Sequence, residues 1–562
     1  MRLDRLEFWT WGAVPAPAVH LPGLGAVVIG RLYRRGGLAN LRPGQGGPPA
    51  SARAVARRLV DDGWGAYVAI LADPGGAWNW ALRDPSGAVD ALTWIRDGLR
   101  IVASGVEDLP AALLPERLGL DWDAIADFVR RPGSLMAHAG LEGLETVTPG
   151  DLHRLGGGSA TALWRPAAWA RAPAPDPIAA VAQLKRAVDL AVGAALKPHT
   201  RCAVELSGGF DSAVVTTTAA RCAGDRRLTA LHLQGGRPES DERRWAELVL
   251  AQTGLPAVVL PLEVTRFEEA DLLCLARGAR PILNAPDVGR DRRAAAWLAQ
   301  GGAEVLITGK GGDAVFFQHP TPEILADWLA AKGPRGLAGP LARGLARRLR
   351  RSLWSVGWEA LGALRRRPAP RPAALWGPRL RAAPAGPAHP WLADLDGLPP
   401  AKRSQIAAVV TTQAQRGITR FGRIAEVAHP LLAQPVLEAA LAIPVWRLAP
   451  EGRERGLARD LFADRVPQAL RLRRSKGELS ALFAQTVAAN LEVLRPYLLD
   501  GSLSEAGVLD RVALDAALDP DALMQGADAG LILWGAAVEA FVRHWQTRVP
   551  DSAAAPRRWP VR

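Results

Sequence analysis

The chain has 562 residues, enough for roughly three to four ordinary domains and a large hydrophobic core. Hydrophobic residues make up 49% and charged residues 22%, values that exclude a wholly disordered or fibrous chain. Basic residues exceed acidic ones by 13, but almost all of this surplus lies in residues 331–382, where Glu359 is the one acid. Because the remainder is nearly neutral, the composition excludes a generally basic nucleic-acid coat.

Three cysteines, Cys202, Cys222 and Cys274, are too few for a disulfide framework and lack metal-ligand spacing, so we expect a reducing compartment. The charged N-terminus lacks the apolar core of a signal peptide. No run of about 18 uncharged apolar residues predicts a membrane span. We therefore expect a soluble, cytoplasmic protein that has no membrane span and does not bind nucleic acid.

Residues 1–165 are predicted to form a β-rich N-terminal domain. Short apolar runs at 26–29, 66–71 and 99–103 alternate there with Gly, Pro and Asp turns. The Pro- and Ala-rich segment 166–177 is predicted to be the linker to a second domain.

Residues 178–548 are predicted to form that second domain. Its predicted elements are, in chain order, a helix over 178–196, a strand over 202–206, a helix from Ser212 and strands over 228–233, 257–260 and 304–308. This alternation predicts a parallel, doubly wound sheet. Helical sequence resumes at 401, and residues 549–562 form a polar tail.

The basic segment 331–382 interrupts the second domain. Leucines at four-residue intervals from Leu337 to Leu349, with arginines between them, indicate an amphipathic segment. Two interpretations stay open: a solvated hairpin, or a surface on which Trp354, Trp358 and Trp376 hold a peptide or a partner protein.

The most specific motif is Ser207-Gly208-Gly209-Phe210-Asp211-Ser212, which follows a predicted strand and opens a helix. Its glycines let the backbone approach a ligand closely, and its N–H and hydroxyl groups suit a pyrophosphate. An acid beside a phosphate requires a bridging cation, so the motif predicts that Asp211 binds Mg²⁺.

A second acid is expected at the same edge of the sheet. Gly309-Lys310-Gly311-Gly312-Asp313 follows the predicted strand 304–308, so its loop should lie beside the first one. Asp313 is therefore the predicted second Mg²⁺ ligand. Alone, Gly-Gly-Asp is ordinary turn sequence, and the prediction depends on the pair of loops.

Two further candidates lie near the C-terminus. Lys476 stands in an Arg-rich loop beside Gly477, where its charge could stabilise the oxyanion and leaving phosphate of an acyl transfer. Glu426 is a candidate general base, although pairing with a nearby arginine is the simpler explanation. His429 is more simply a packing residue than a ligand.

At these residues the chain resembles the asparagine-synthetase-like ATP-dependent amidoligases. SGGFDS is similar to the family's pyrophosphate loop, GKGGD to its second metal loop and RRSKG to the loop of its catalytic lysine. RDPSG and neighbouring segments resemble the N-terminal glutaminase-like (Ntn-type) sandwich. The resemblance implies a PP-loop synthetase domain that uses ATP and Mg²⁺. It implies nucleotide contacts at Leu206, Ser207, Gly208, Gly209, Asp211, Ser212, Leu233, Thr308 and Gly309, metal ligands at Asp211 and Asp313, and catalytic roles for Lys476 and Glu426.

Two departures from the family pattern narrow the expected activity. Glutamine-hydrolysing members carry Cys after the initiator Met, whereas this chain has Arg2, so we expect no glutaminase activity and an amine supplied by the substrate. Lys310 stands where relatives use Glu or Tyr in catalysis, which leaves the general base open.

Within the family, these features and HPWLADLDGLPPAK most resemble the lasso-peptide macrolactam synthetases. That resemblance implies adenylation of an Asp or Glu side chain in a precursor peptide, ring closure by its N-terminal amine, and a leader-binding protein and leader peptidase as partners. The alternatives are a β-lactam-type or other small-molecule amide synthetase, a nucleotide- or tRNA-modifying enzyme, and a non-catalytic scaffold.

Overall fold

The computed structural model describes residues 2–3, 6–9, 14, 16–38, 51–73, 75–158, 160–235, 241–274, 276–283, 287–365, 373–382, 389–417, 419–473, 480–524 and 528–548. The fold is mixed α/β, with antiparallel sheets near the N-terminus, a parallel sheet later and a helical C-terminal part. None of the described helices is long and apolar enough to cross a membrane.

The strands are β1 (Arg2–Leu3), β2 (Leu6–Glu7), β3 (Ala18–Leu21), β4 (Ala26–Arg34), β5 (Gly63–Ala72), β6 (Trp78–Arg83), β7 (Leu92–Arg96), β8 (Leu99–Ala103), β9 (Gly119–Leu120), β10 (Leu141–Glu142), β11 (Glu145–Thr146), β12 (Asp151–Arg154), β13 (Ala160–Ala162), β14 (Arg201–Glu205), β15 (Arg227–Gly235), β16 (Ala257–Leu262), β17 (Val305–Ile307) and β18 (Glu426–Ala428).

The helices are α1 (Ala52–Asp61), α2 (Trp122–Arg130), α3 (Pro166–Arg171), α4 (Pro177–Leu196), α5 (Phe210–Cys222), α6 (Arg243–Thr253), α7 (Glu269–Leu273), α8 (Val288–Ala299), α9 (Gly312–Val315), α10 (Pro322–Lys332), α11 (Pro340–Leu349), α12 (Leu353–Arg365), α13 (Pro378–Ala382), α14 (Pro390–Ala393), α15 (Pro400–Ala414), α16 (Gln434–Leu441), α17 (Val445–Leu448), α18 (Gly456–Leu461), α19 (Gln468–Leu472), α20 (Ser480–Ala489), α21 (Leu491–Leu499), α22 (Ser502–Glu505), α23 (Arg511–Ala517), α24 (Pro520–Met524) and α25 (Ala529–Arg548).

Antiparallel pairing dominates the N-terminal part. A six-stranded sheet has the order β13-β12-β6-β5-β4-β3, and a three-stranded sheet has the order β11-β7-β8. β5 is buried along nearly its whole length because it lies in the interior of the sheet, between β4 and β6. This matches its almost uninterrupted apolar sequence, Gly-Trp-Gly-Ala-Tyr-Val-Ala-Ile-Leu-Ala.

A five-stranded parallel sheet follows, with the order β16-β15-β14-β17-β18. From β14 the chain moves to β15 on one side, and β17 lies on the other side. The gap between the loops that follow β14 and β17 is therefore the topological switch point, where open α/β sheets bind ligands. Both predicted loops lie there, and the predicted strands and the parallel order are confirmed.

The helical C-terminal part packs against the N-terminal region. α25 is buried along most of its length, and Trp534 Nε1 donates a hydrogen bond to the Phe128 carbonyl of α2 at 3.1 Å. Glu539, completely buried, accepts bonds from the N–H groups of Ser502 and Leu503, both at 2.9 Å, and so begins α22. These contacts place the first and last thirds of the chain in one hydrophobic core.

The segment predicted as a linker is partly helical, because Pro166 begins α3 at a position where proline costs no hydrogen bond. The basic segment forms α11, α12 and α13; Leu341, Leu345 and Leu349 of the leucine series lie in α11, whereas Leu337 lies in a preceding 3-10 turn. Trp354 and Trp358 are 81% and 72% exposed on α12, whereas Trp376 is buried and does not contribute to an exposed surface.

Candidate functional site

The first predicted loop turns sharply between β14 and α5. Gly208 has φ 79°, a conformation that favours glycine, and the Cβ of another residue there would lie 2.7 Å from Glu242 Cβ. Ser212 Oγ bonds the Gly209 carbonyl at 3.0 Å and lies 3.0 Å from Ser207 Oγ. The two hydroxyls therefore brace the turn, and the N-terminus of α5 opens beside it.

Arg473 closes one side of this loop. Its guanidinium stacks on the Trp245 ring at 4.6 Å, pairs with Glu242 (Nη2 to Oε1, 2.6 Å) and donates a hydrogen bond to the Gly208 carbonyl at 3.3 Å. This arginine directly precedes residues 474–479. Lys476, the predicted catalytic lysine, lies outside the described residues, so its assignment stays a prediction.

The second loop packs directly on the first. A Cβ added to Gly309 would lie 2.6 Å from the backbone nitrogen of Ser212, and one added to Gly312 would lie 2.5 Å from Asp211 Cβ. Real Cβ atoms do not approach other heavy atoms so closely. Glycine is therefore required at both positions by the contact between the loops, in addition to any turn geometry.

This contact brings the two predicted acids together. Arg455 Nη2 lies 3.0 Å from Asp211 Oδ2 and also bonds Asp313 Oδ1, so both carboxylates contact one cationic nitrogen. Asp211 is 12% exposed at its side chain, and its other oxygen, Oδ1, is buried without a hydrogen-bond partner among the described residues. Asp313 is about half exposed and opens toward solvent.

Arg455 is a functional residue that the sequence did not reveal. It directly precedes α18 and has φ 49°, and its N–H donates a hydrogen bond to the Phe317 carbonyl at 3.0 Å. Its guanidinium is 4% exposed. The surrounding Arg-Glu-Arg-Gly sequence carries no recognisable motif, and only the tertiary fold brings it to the two acids.

Other predicted nucleotide residues line the same edge of the sheet. The Leu206 N–H bonds the Leu231 carbonyl at 2.9 Å, and Leu233 is half-buried near the end of β15. Thr308 Oγ1 lies 2.7 Å from His429 Nδ1 and accepts a bond from the Lys310 N–H at 3.2 Å. Burial, reinforced by the charge of Lys310, holds the pKa of His429 well below its usual value, so this imidazole is neutral.

Glu426, the candidate base, is held by an arginine and a histidine. It pairs with Arg31 of β4 and with His199 Nε2 at 3.1 Å, which links the antiparallel and parallel sheets. These partners outweigh the effect of burial and lower the pKa of Glu426. The carboxylate is therefore ionised and already bonded, and its role as a base stays a prediction.

A cavity of about 540 Å³ lies between the N-terminal sheets and the carboxyl edge of the parallel sheet. Its walls include Trp64 and Arg83 from the antiparallel sheet, Thr308 and Lys310 from the second loop, and Glu426 of β18. Burial is the largest cause that lowers the pKa of Lys310 to about 8, and the charge of Arg290 adds to it. Ligand pockets have volumes of this order.

A family model described as asparagine synthase matches residues 183–546, nearly two thirds of the chain. The match includes both loops, Arg455 and most of the helical C-terminal part. No curated protein matches the chain at a significant level.

Proposed function

Because the chain belongs to the asparagine synthase family, whose members form amide bonds with ATP, we propose that it activates a carboxyl group as an acyl-adenylate and closes a macrolactam in a peptide. The precursor donates both groups: an Asp or Glu side chain is activated, and the N-terminal amine attacks it. The product is the isopeptide ring of a lasso peptide. The observation that carries the nucleotide site is the contact of Asp211 and Asp313 with one cationic nitrogen at the switch point of the sheet.

ATP would bind with its pyrophosphate against the first loop. The N–H groups at the start of α5 and the hydroxyls of Ser207 and Ser212 supply donors for an anion. The adjoining residues Leu206, Leu233, Thr308 and Gly309 would contact the remainder of the nucleotide.

The two acids fit a magnesium ion. Asp211 and Asp313 offer carboxylate oxygens, including the unpartnered Asp211 Oδ1, and they lie close enough to share the Arg455 cation. No group of three or more His, Cys, Asp or Glu side chains in the described residues could hold a metal alone. Two carboxylates suit Mg²⁺, which usually takes one or two of them and completes its shell with phosphate and water. When bound, it would neutralise the charge on the phosphates.

In the first step the substrate carboxylate attacks the α-phosphorus of ATP, and pyrophosphate leaves. In the second step the amine attacks the acyl carbon, AMP leaves and the amine loses a proton. Lys476, known from sequence alone, is proposed to stabilise the charge on the tetrahedral oxygen and on the leaving phosphate. The walls of the cavity would limit access of water, which otherwise hydrolyses the acyl-adenylate.

The cysteines support an amine source other than glutamine. Burial raises the pKa of the Cys202 thiol to about 11, and it also raises the pKa values of Cys222 and Cys274. A raised pKa disfavours the thiolate that a glutaminase nucleophile requires. We therefore propose that the N-terminal part has no glutaminase activity and serves to enclose the substrate.

ATP–pyrophosphate exchange tests the proposal most simply. A synthetic precursor encoded beside this chain should drive exchange and lose the mass of one water, and Asp211→Asn should abolish exchange. Lys476→Ala should stop ring closure, and unimpaired closure would remove that assignment. A leader-binding protein and a peptidase encoded nearby would be the proposed partners.

A different outcome would favour a different function. Exchange driven by a small amino acid, without mass loss from any linear peptide, would indicate a β-lactam-type or other small-molecule amide synthetase. Failure of the wild-type protein to bind ATP with Mg²⁺ would indicate a scaffold without catalytic activity.

A further inference from the structure

Among the described residues, the cavity beside the second loop is lined by five arginines and Lys310, and by the acidic side chains of Asp90, Glu107, Asp287, Asp291 and Glu426. Four of the arginines pair with carboxylates. These pairs are Arg31 with Glu426, Arg83 and Arg280 with Asp90, and Arg290 with Glu205.

Arg416 and Lys310 are the exceptions among the described cations of this wall. Arg416 donates a hydrogen bond to the Ser86 carbonyl at 2.9 Å, and its buried Nε has no partner among the residues that the structure describes. Lys310 Nζ donates to the Gln415 carbonyl at 3.2 Å. Neither group forms an ion pair with a described carboxylate, although burying an unpaired charge is costly.

The acids near these two cations are already bonded. Asp84, which attracts Arg416, accepts bonds from the Ser86 and Tyr67 N–H groups. Glu205 and Asp287 attract Lys310, but Arg290 holds both of them. The cavity therefore presents two positive groups to whatever enters it.

Their place relative to the nucleotide site indicates which anion they would bind. Lys310 follows Thr308 and precedes Asp313 in one short loop, so the cavity opens directly beside the proposed ATP site. We infer that Lys310 and Arg416 bind the substrate carboxylate and hold it for attack on ATP. This inference rests on the proposed function and assigns a binding role to Lys310.

The charge states suit this role. Below about pH 8 Lys310 is largely protonated, so it can attract a carboxylate, and Arg416 remains cationic although burial lowers its pKa to about 10. Adenylation converts the carboxylate into the uncharged carbonyl of a mixed anhydride with AMP, and pyrophosphate leaves. The attraction therefore acts on the free carboxylate and weakens once the carboxyl group has been activated.

Six lysines in the whole chain make a residue-specific test practicable. Trace acetylation of the wild-type protein with acetic anhydride at pH 8 reports the reactivity of each lysine by peptide mapping. We expect the probe N-acetylglutamate α-amide to slow labelling of Lys310 at least tenfold, because a bound carboxylate stabilises the ammonium form. The matched neutral probe N-acetylglutamine α-amide should leave the rate unchanged, and exposed Lys332 is the internal control.

Two variants then test the role of Arg416, the second cation of the inferred carboxylate site. Arg416→Gln should weaken protection by the glutamate probe about tenfold or more, since a charge-assisted bond is lost. Arg335→Gln, a change at an exposed arginine of the basic segment, should leave protection unchanged. Circular dichroism of both variants confirms that they fold.

Each outcome separates the inference from the proposed function. Equal protection by the glutamate and glutamine probes, or protection by ATP with Mg²⁺ alone, would overturn the inference even if the enzyme catalyses ATP–pyrophosphate exchange. Selective protection by the glutamate probe would support the carboxylate site even if no exchange is found, in which case only the proposed reaction fails.

Discussion

Gly312→Ala tests whether the two loops act as one nucleotide site. The added methyl group would lie 2.5 Å from Asp211 Cβ, whereas carbon atoms in contact normally lie about 3.5–4.0 Å apart. The loops must therefore separate by about 1 Å or Asp211 must turn away, and at least one charged contact to the nucleotide is lost. A charge-assisted hydrogen bond contributes about 1.5–3 kcal/mol, so we expect ATP with Mg²⁺ to bind roughly ten- to one-hundred-fold more weakly.

Isothermal titration calorimetry with ATP and Mg²⁺ measures this effect without a peptide substrate. Gly530→Ala is the matched control, because Gly530 is exposed on α25 and its added Cβ meets no atom within 4 Å. That variant should bind ATP normally and gain up to about 1 kcal/mol of helix stability. If Gly312→Ala remains folded and binds ATP within threefold of the wild type, the contact between the loops is irrelevant to the nucleotide and the reasoning is wrong.

Three further predictions follow from charged groups. Glu426→Gln should lower the free energy of unfolding by about 1–3 kcal/mol, because Arg31 and His199 lose their ionic partner. The rate of ATP–pyrophosphate exchange should stay within a few-fold of the wild-type rate. A large loss of turnover with an unchanged urea midpoint of unfolding would instead identify Glu426 as a base. His389 begins α14 by accepting a hydrogen bond from the Trp391 N–H at 3.1 Å, and burial lowers its pKa to about 3. Below about pH 6.5 its imidazole is therefore protonated in the unfolded state but still neutral in the folded state. Between pH 7 and pH 5 the wild type should therefore lose about 2 kcal/mol more stability than His389→Asn in urea titrations, and equal losses would contradict this account. The kcat/KM of ATP–pyrophosphate exchange with the precursor should fall as pH rises above about 8, where Lys310 loses its proton. Lys310→Arg should move this fall to higher pH. An identical pH profile in the variant would exclude Lys310 as the cause of the fall.

The sequence predicted the loops of the candidate site because their signals are local. Glycine and serine directly after an apolar run indicate a strand-to-helix turn, and strand–helix alternation indicates that such turns share one edge of a parallel sheet. The structure has both loops there, after β14 and β17. A short motif at the end of each strand was sufficient to predict the site, because a parallel sheet brings the loops that follow its strands to the same edge.

Long-range partners could not be predicted in this way. Arg455 meets Asp313 across 142 positions of the chain, and Arg473 meets Glu242 across 231 positions. No local pattern distinguishes Arg455 among the many arginines of the chain, and the RRSKG motif that begins at Arg473 does not indicate its pairing with Glu242. The segment predicted as a linker shows a similar limit, because its Pro- and Ala-rich composition did not indicate α3, which packs against the hydrophobic core.

The central claim is that Asp211 and Asp313 share one divalent cation beside ATP. Electron paramagnetic resonance of Mn²⁺, used in place of Mg²⁺, counts bound ions directly in the presence and absence of ATP. We expect ATP-dependent Mn²⁺ binding in the wild type and at least tenfold weaker binding in both Asp211→Asn and Asp313→Asn. Wild-type affinity in the two folded variants would contradict the claim and would leave Arg455 as the permanent partner of both acids.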